Sequence, residues 1–233
     1  MIRNYDDFIR ELLQAGFSQF WGQKDNVLSI LHMNSACDEH PPDSQVRWFS
    51  GDPNRDPWEW RMRVLARDDI SYAKVFFRKS GFITREWVPY FLAVRRPYGR
   101  SFGEAYADGL MSAYAKRVYD TLRQSGPLPA HELKAAAGFY KDEKSAFERA
   151  IVELQMGLYV TLCGQAQKLD RKGEAYGWAS NMLCVMEEFW PEDVFEQAAR
   201  LEPEEAREAI AARIQQINPD ADAKKIRKFI DGR

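Results

Sequence analysis

The sequence predicts an α+β fold that is mostly helical. Apolar residues recur at helical spacing over most of the chain, whereas β-rich runs are short, as in Tyr72–Phe77, and turns rich in Gly and Pro separate the segments. The chain has 233 residues, of which 45% are apolar and 29% charged, which excludes a disordered tail protein. Without a span of roughly 20 apolar residues or a signal-peptide stretch, we expect a cytoplasmic protein with no membrane partner.

Local signals place the elements of the first hundred residues. Asn4 is a suitable N-cap and Gly16 a helix stop, and Asp56 followed by Pro57 is typical of a helix start. The predicted elements are helices Tyr5–Ala15 and Asn26–Met33, a loop over 34–57, a helix from Pro57, a strand Tyr72–Phe77, and a helix Arg85–Arg95 capped by Thr84.

The segment from Ser112 to Ser180 has the order helix, turn, helix, turn, helix, hairpin. The predicted elements are helices Ser112–Gln124, Leu128–Gly138 and Asp142–Met156, a strand Leu158–Leu162, a turn over 168–173 and a return strand Ala175–Ser180. This order is typical of a winged helix-turn-helix module, in which the third helix lies in a DNA groove and the hairpin is the wing. Winged helices also serve as protein-interaction modules, so the fold alone leaves the function open.

We therefore expect three regions. A helical region with a small strand element spans residues 1–105, a winged-helix domain spans 106–190, and a C-terminal helical pair spans 191–233. The helical pair repeats the first half of the winged helix, from Glu208 to Gly232. It is either a packing or homodimerisation element or an ordinary pair of amphipathic helices.

Charge is distributed unevenly although the net charge is only -2. Residues 46–100 carry twelve basic and six acidic side chains, a composition suited to phosphates or to the acidic ends of the same chain. Within them, Trp58, Trp60, Arg61 and Arg63 form a group that is able to stack a base and hold a phosphate. The alternative is that one tryptophan belongs to the core and the arginines extend from a helix surface.

A duplex would meet the third helix and the wing of the module. The residues expected at this DNA contact are Lys141, Lys144, Ser145 and Arg149 on the helix, with Lys168, Arg171 and Lys172 on the wing. Acidic neighbours, including Asp142 and Glu148, weaken this prediction because they repel phosphates.

Metal and cofactor signals are weak. His32, Cys37 and His40 have a spacing that suits three zinc ligands, but no fourth ligand is evident, so we prefer a polar loop with scattered His and Cys and expect no metal site. The sequence has no glycine-rich phosphate loop, so we expect no cofactor.

Several parts of the chain together resemble the AlkZ-related family. They are Trp58-Glu-Trp-Arg61, Tyr72 to Arg78, Phe82 to Leu92, the Ser112–Ser180 module and the tail from Glu205 to Gly232. The resemblance covers about Phe8 to Gly232 and implies relatives among the bacterial winged-helix DNA glycosylases that act on alkylated and crosslinked bases. It also implies tandem winged-helix character and DNA as a partner.

The glycosylases of the wider family position a water with a Gln-x-Gln or Gln-x-Asp motif. Gln23-Lys24-Asp25 matches this motif near the position that the resemblance implies, which makes Gln23 and Asp25 candidate catalytic residues. Gln165-Ala166-Gln167 also matches the motif, but it lies within the predicted wing. The sequence thus favours a non-catalytic or regulatory DNA-binding winged-helix protein. A reduced DNA glycosylase and a protein-interaction module are the alternatives.

Overall fold

The computed structural model describes residues 1–21, 27–34, 46–170 and 172–232. The chain divides into two units: a discontinuous unit, made of residues 1–99 and those from Asp193 onwards, and a central unit, Arg100–Glu192. Within the described residues, no helix is both long and apolar enough to cross a membrane. The predicted α+β class is confirmed, with helices in both units.

The discontinuous unit contains three strands and several helices. Its helices are α1 (Tyr5–Ala15), α2 (Ile30–Asn34), α3 (Pro57–Arg63), α4 (Val88–Arg95), α10 (Glu192–Arg200), α11 (Pro203–Ile217) and α12 (Ala223–Asp231), and its strands are β1 (Phe17–Gln19), β2 (Ile70–Phe76) and β3 (Lys79–Thr84). The three strands are antiparallel, and β3 lies between β1 and β2.

Helix α1 begins and ends where the sequence predicts. The Asn4 side chain accepts a hydrogen bond from the Asp7 amide, and Gly16 adopts a φ of 94° directly after the helix. The Asp7 carboxylate accepts hydrogen bonds from Arg3 and Arg10 at 2.8 and 2.7 Å, and these bonds hold its pKa well below its usual range. The inner face of the helix is buried, with Phe8 stacked on Trp60.

The C-terminal helices pack within the discontinuous unit. Phe229 of α12 stacks on Phe76 of β2 with ring centroids 3.8 Å apart. Arg95, at the end of α4, donates hydrogen bonds to the carbonyls of Val75, Phe229 and Ile230, which satisfies the last turn of α12. Ile210 and Ile214 of α11 are buried within the chain itself. Homodimerisation through these helices stays a prediction.

The central unit begins with α5 (Phe102–Ala107) and continues through α6 (Ala113–Ser125), β4 (Leu128–Pro129), α7 (Ala130–Ala136), α8 (Lys144–Met156), β5 (Val160–Ala166), β6 (Ser180–Val185) and α9 (Met186–Phe189). Ser112 caps α6, and the carboxylate of Glu153 on α8 accepts hydrogen bonds from both its amide and its hydroxyl, at 2.7 and 2.6 Å. Val118, Leu122, Leu133 and Leu154 form the core between the helices.

Strands β5 and β6 pair in antiparallel fashion, and β4 pairs with the other edge of β6. A bulge interrupts the β5–β6 register between Leu162 and Gly164. The thiols of Cys163 and Cys184 are hydrogen-bonded, which lowers the pKa of Cys163 and raises that of Cys184. Cys184 is buried, whereas Cys163 is partly exposed.

Three local expectations are corrected. The helix predicted over Arg85–Arg95 begins at Val88, with Trp87 rather than Thr84 at its N-cap position, because Thr84 is the last residue of strand β3. The segment predicted to open the second helix at Leu128 is strand β4. The return strand predicted at Ala175–Ser180 instead begins at Ser180, and the earlier residues extend the hairpin loop.

Candidate nucleic-acid interface

A cluster of aromatic rings lies at one surface of the discontinuous unit. We define the aromatic cluster as Phe20, Trp21, Trp48, Phe49 and Trp58. Trp21 contacts Trp48 at 4.5 Å between centroids, Trp48 lies 5.5 Å from Phe20, and Phe49 lies 5.3 Å from Trp58. Phe20 is buried, but the side chains of Trp21, Phe49 and Trp58 are 43, 65 and 39% exposed. Adjoining large apolar side chains left in water are typical of an interaction surface.

Phe20 anchors the aromatic cluster in the core. Its ring lies 6.0 Å from both Tyr72 and Phe82, which stack on each other at 4.8 Å across β2 and β3. Tyr72 is almost fully buried, and burial raises the pKa of its hydroxyl. Phe20 therefore connects the exposed rings to buried side chains of β2 and β3.

One buried carboxylate shapes the loop that carries Phe49. Asp56 accepts hydrogen bonds from the amides of Phe49, Gly51 and Trp58, at 3.0, 2.9 and 2.9 Å. The hydrogen bond from the Trp58 amide makes Asp56 the N-cap of α3, as the sequence predicts. The hydrogen bonds from the Phe49 and Gly51 amides attach the preceding loop to the same carboxylate. Phe49 adopts a φ of 59°, a left-handed conformation that costs a residue with a Cβ roughly 1–2 kcal/mol.

The four residues singled out on α3 separate in the structure. The Arg61 guanidinium lies over the Trp58 ring, 3.7 Å from its centroid. Arg63 lies over Tyr5 and donates to the Pro53 carbonyl. Trp60 is fully buried, so its expected contact with DNA is wrong; helical spacing turns it away from its neighbours and into the core.

Helix α8 exposes the side chains predicted to meet a duplex. Lys141, just before the helix, and Lys144, Ser145 and Arg149 are all exposed, because the buried positions Ala146, Phe147, Ala150 and Leu154 lie on the opposite face. Glu148 shares the exposed face and lies 3.8 Å from Lys144. The outer face of α8 thus combines three cations with nearby carboxylates.

The hairpin loop after β5 is organised by Asp170. Its carboxylate accepts hydrogen bonds from the amides of Lys172 and Glu174, at 2.8 and 2.9 Å. Lys168 is partly exposed and Lys172 exposed, while Arg171 lies outside the described residues. The side-chain amide of Gln167 donates to the carbonyls of Tyr176 and Gly177, so it holds the loop together.

The candidate catalytic and metal residues fall mostly on segments that the structure does not describe. Gln23, Asp25, Cys37 and His40 lie outside the described residues, and His32 is the described member of the possible zinc set. Within the described ranges, no group of three His, Cys, Asp or Glu side chains has an arrangement that suits a metal ion.

Several exposed aromatic residues escaped sequence reasoning. Trp21, Trp48 and Phe49 come together only because β1 and the loop before α3 lie side by side in the fold. Trp178, in the hairpin loop, is 88% exposed and stands beside an exposed Tyr176. The signal available in the sequence was a set of aromatic residues within turn-forming segments rather than at helical spacing.

Comparison with known proteins identifies the chain at the level of its family. A model of the family described as AlkZ related matches residues 2–231, nearly the whole chain. The protein therefore belongs to the AlkZ-related family. Neither the curated proteins nor the solved structures provide a match.

Proposed function

We propose that this protein binds DNA through a winged-helix module and acts as a binding or regulatory protein rather than as a catalyst. Helices α6, α7 and α8 are followed by the β5–β6 hairpin, and β4, just before α7, pairs with β6. This is the arrangement by which a winged helix presents its third helix and its wing to a duplex. Membership of the AlkZ-related family supports the same partner, because relatives of that family act on DNA.

The outer face of α8 is the observation that carries the proposal. Lys141 is exposed just before α8, and Lys144 and Arg149 are exposed on the helix itself, whose other face is buried in its own unit. Lysine and arginine at such positions contact phosphates, and the Ser145 hydroxyl adds a neutral donor. Glu148 limits the contact, since its carboxylate partly neutralises Lys144 and repels phosphate. We expect moderate affinity with a strong dependence on salt.

The hairpin loop supplies a second contact. Lys168 and Lys172 flank the turn closed by Asp170, whose carboxylate is occupied by two loop amides. A wing of this kind reaches the phosphates beside the groove occupied by the third helix. Arg171, predicted from the sequence to join these lysines, adds one more cation to the proposed contact.

Retention of the full-length protein on duplex DNA, measured at increasing salt, tests the proposal. Lys144→Glu should weaken retention at least tenfold, because it reverses a charge on the contact face. Lys224→Glu is the matched control: it makes the same charge change at an exposed position of α12 and should retain wild-type binding. Equal retention of Lys144→Glu, Lys224→Glu and the wild-type protein contradicts the α8 contact. If the wild-type protein does not bind DNA at all, the result favours the protein-interaction module instead.

Family membership favours one second candidate, a reduced DNA glycosylase. Gln23 and Asp25 are the residues that would orient water at the glycosidic carbon. Release of an alkylated base by the wild-type protein, lost in Gln23→Ala and in Asp25→Ala, supports this candidate. Duplex binding without base release supports the binding protein instead.

A further inference from the structure

We propose that Cys163 and Cys184 are a redox-sensitive pair that forms an intramolecular disulfide across the β5–β6 hairpin in the presence of a hydroperoxide. Cys163 is the sulfur that the peroxide oxidises, and Cys184 is the sulfur that attacks the oxidised Cys163 to close the disulfide. Both are free cysteines of the central unit. The inference does not depend on the proposed function, because it concerns the chemistry of two side chains and not the binding of DNA.

The pairing of β5 with β6 brings the two cysteines together. Thr161 lies directly opposite Cys184, and the ladder resumes after the bulge with Gly164 opposite Met182, so Cys163 is the residue that occupies the bulge. A bulge bends its strand and re-aims the side chain that it carries. The two thiols are hydrogen-bonded, which places their sulfur atoms next to each other. Because the sulfur atoms of a disulfide lie about 2.05 Å apart, only a short approach separates this pair from a bond.

Exposure and the direction of the hydrogen bond give the two sulfur atoms different roles. Cys163 is partly exposed and Cys184 is buried, so a small peroxide reaches Cys163 first. The hydrogen bond lowers the pKa of Cys163 and raises that of Cys184, which identifies the Cys184 thiol as the donor and the Cys163 sulfur as the acceptor. The charge of Glu188 opposes a thiolate at Cys163, but its effect is smaller than that of the hydrogen bond. An accessible sulfur with thiolate character beside a second thiol is the arrangement of redox-sensing cysteines.

Two steps form the disulfide, with hydrogen peroxide as the oxidant. In the first step, the Cys163 thiolate attacks one peroxide oxygen. A sulfur–oxygen bond forms, the oxygen–oxygen bond breaks, and the leaving hydroxide takes up the proton that Cys163 lost and becomes water. In the second step, the Cys184 sulfur attacks the sulfenic acid of Cys163. The sulfur–sulfur bond forms, and the hydroxyl group leaves with the Cys184 proton as a second water. The two thiols thus lose two electrons and two protons, which the peroxide takes up.

The disulfide would enclose the hairpin loop in a covalent ring. Residues 164–183 lie between the two cysteines, and they include the whole connection between β5 and β6. The bond would join the two strands beside the bulge, where the ladder is interrupted. Because cross-linked strands cannot separate at this point, local opening of the hairpin should become rarer when the pair is oxidised.

Peptide mass spectrometry of the folded full-length protein, treated with hydrogen peroxide, tests the proposal. The wild-type protein should lose the mass of two hydrogen atoms and yield a linked pair of peptides that contain Cys163 and Cys184. Dithiothreitol should restore both thiols. Cys37→Ser is the matched control, because it removes the third cysteine of the chain and should form the same disulfide.

Two single substitutions separate the roles of the pair. In Cys184→Ser, the sulfenic acid of Cys163 should accumulate and react with dimedone, whereas in the wild-type protein Cys184 consumes it. In Cys163→Ser, Cys184 should remain a thiol. Circular dichroism shows whether these variants fold, and the results for the wild-type protein and Cys37→Ser do not depend on them. The proposal is overturned if both wild-type cysteines stay reduced, if either is linked to Cys37 or to a second chain instead, or if Cys184 is oxidised in Cys163→Ser.

Amide hydrogen exchange tests the effect on the hairpin. The amides of β5 and β6 should exchange about tenfold more slowly in the oxidised than in the reduced wild-type protein. Peroxide should leave their exchange unchanged in Cys163→Ser, which has no disulfide to form. Equal rates in the oxidised and reduced wild-type protein would contradict the constraint on the hairpin.

Discussion

Replacement of Asp56 by alanine should destabilise the protein and disturb the aromatic cluster together. The carboxylate accepts three amide hydrogen bonds of 2.9–3.0 Å and is fully buried. A hydrogen bond of this kind contributes about 1 kcal/mol net, and an N-cap substitution alone costs about 1 kcal/mol. Because the change leaves three amides without their acceptor, we expect the free energy of unfolding to fall by about 3 kcal/mol.

Urea denaturation followed by circular dichroism measures this change. Asp222→Ala is the control: Asp222 caps α12 through one hydrogen bond, from the Lys225 amide at 2.9 Å, at an exposed position. Its loss should cost about 1 kcal/mol or less. If Asp56→Ala costs no more than Asp222→Ala, the carboxylate does not organise the loop, and the argument that Phe49 is held in place by Asp56 fails.

Three further substitutions or reagents test other parts of the fold. Asp7→Asn should lower the free energy of unfolding at neutral pH and still at about pH 4, because the pKa of Asp7 in the folded protein lies well below its usual range. The difference from the wild-type protein should shrink only as the pH falls from about 4 to about 2 and below, which urea titrations at these pH values check. Iodoacetamide should modify Cys163 well before Cys184 in the native protein, as peptide mass spectrometry would show, since Cys163 is partly exposed and Cys184 is buried. Gly81→Ala should destabilise the protein by more than about 2 kcal/mol in urea, because a Cβ there would lie 2.9 Å from the Ser18 carbonyl oxygen; an unchanged midpoint contradicts this packing.

Helix ends were predictable wherever a side chain marks them locally. Asn4, Asp56 and Ser112 each cap the helix that the sequence predicts to follow. A cap involves residues two or three positions apart, so its physics is contained in a short stretch of sequence. The apolar periodicity of α6 and α8 was readable for the same reason, because one helix face repeats every three or four residues.

Strand boundaries were harder to predict because pairing depends on distant residues. Strand β3 lies between two partners, a fact that no local pattern in Lys79–Thr84 reveals. The return strand of the hairpin begins at Ser180, where it pairs with Ala166 at the end of β5, so its start depends on a partner fourteen residues earlier in the chain. Contacts of this range are fixed by the fold and not by propensity.

The candidate sites divide in the same way. The cations at the α8 face were predictable because they lie within nine residues of one another, on the helix and just before it. The aromatic cluster was not, since Trp21 lies far in sequence from Trp58, and only the pairing of strands with the loop before α3 brings them together. Trp60 shows the opposite error. Its proximity in sequence to Trp58 suggested a shared role, but residues two positions apart on a helix face different directions, and Trp60 is buried.

The salt dependence of duplex binding tests the role of the α8 face most directly. The six basic residues of the proposed contact would give a slope of about -5.4 in a plot of log K against log salt concentration. They are Lys141, Lys144, Arg149, Lys168, Arg171 and Lys172. Arg149→Ala should reduce the slope by about 1 and weaken binding to all sequences alike. A wild-type slope near zero, or an Arg149→Ala slope equal to that of the wild-type protein, would mean that DNA does not bind at this face.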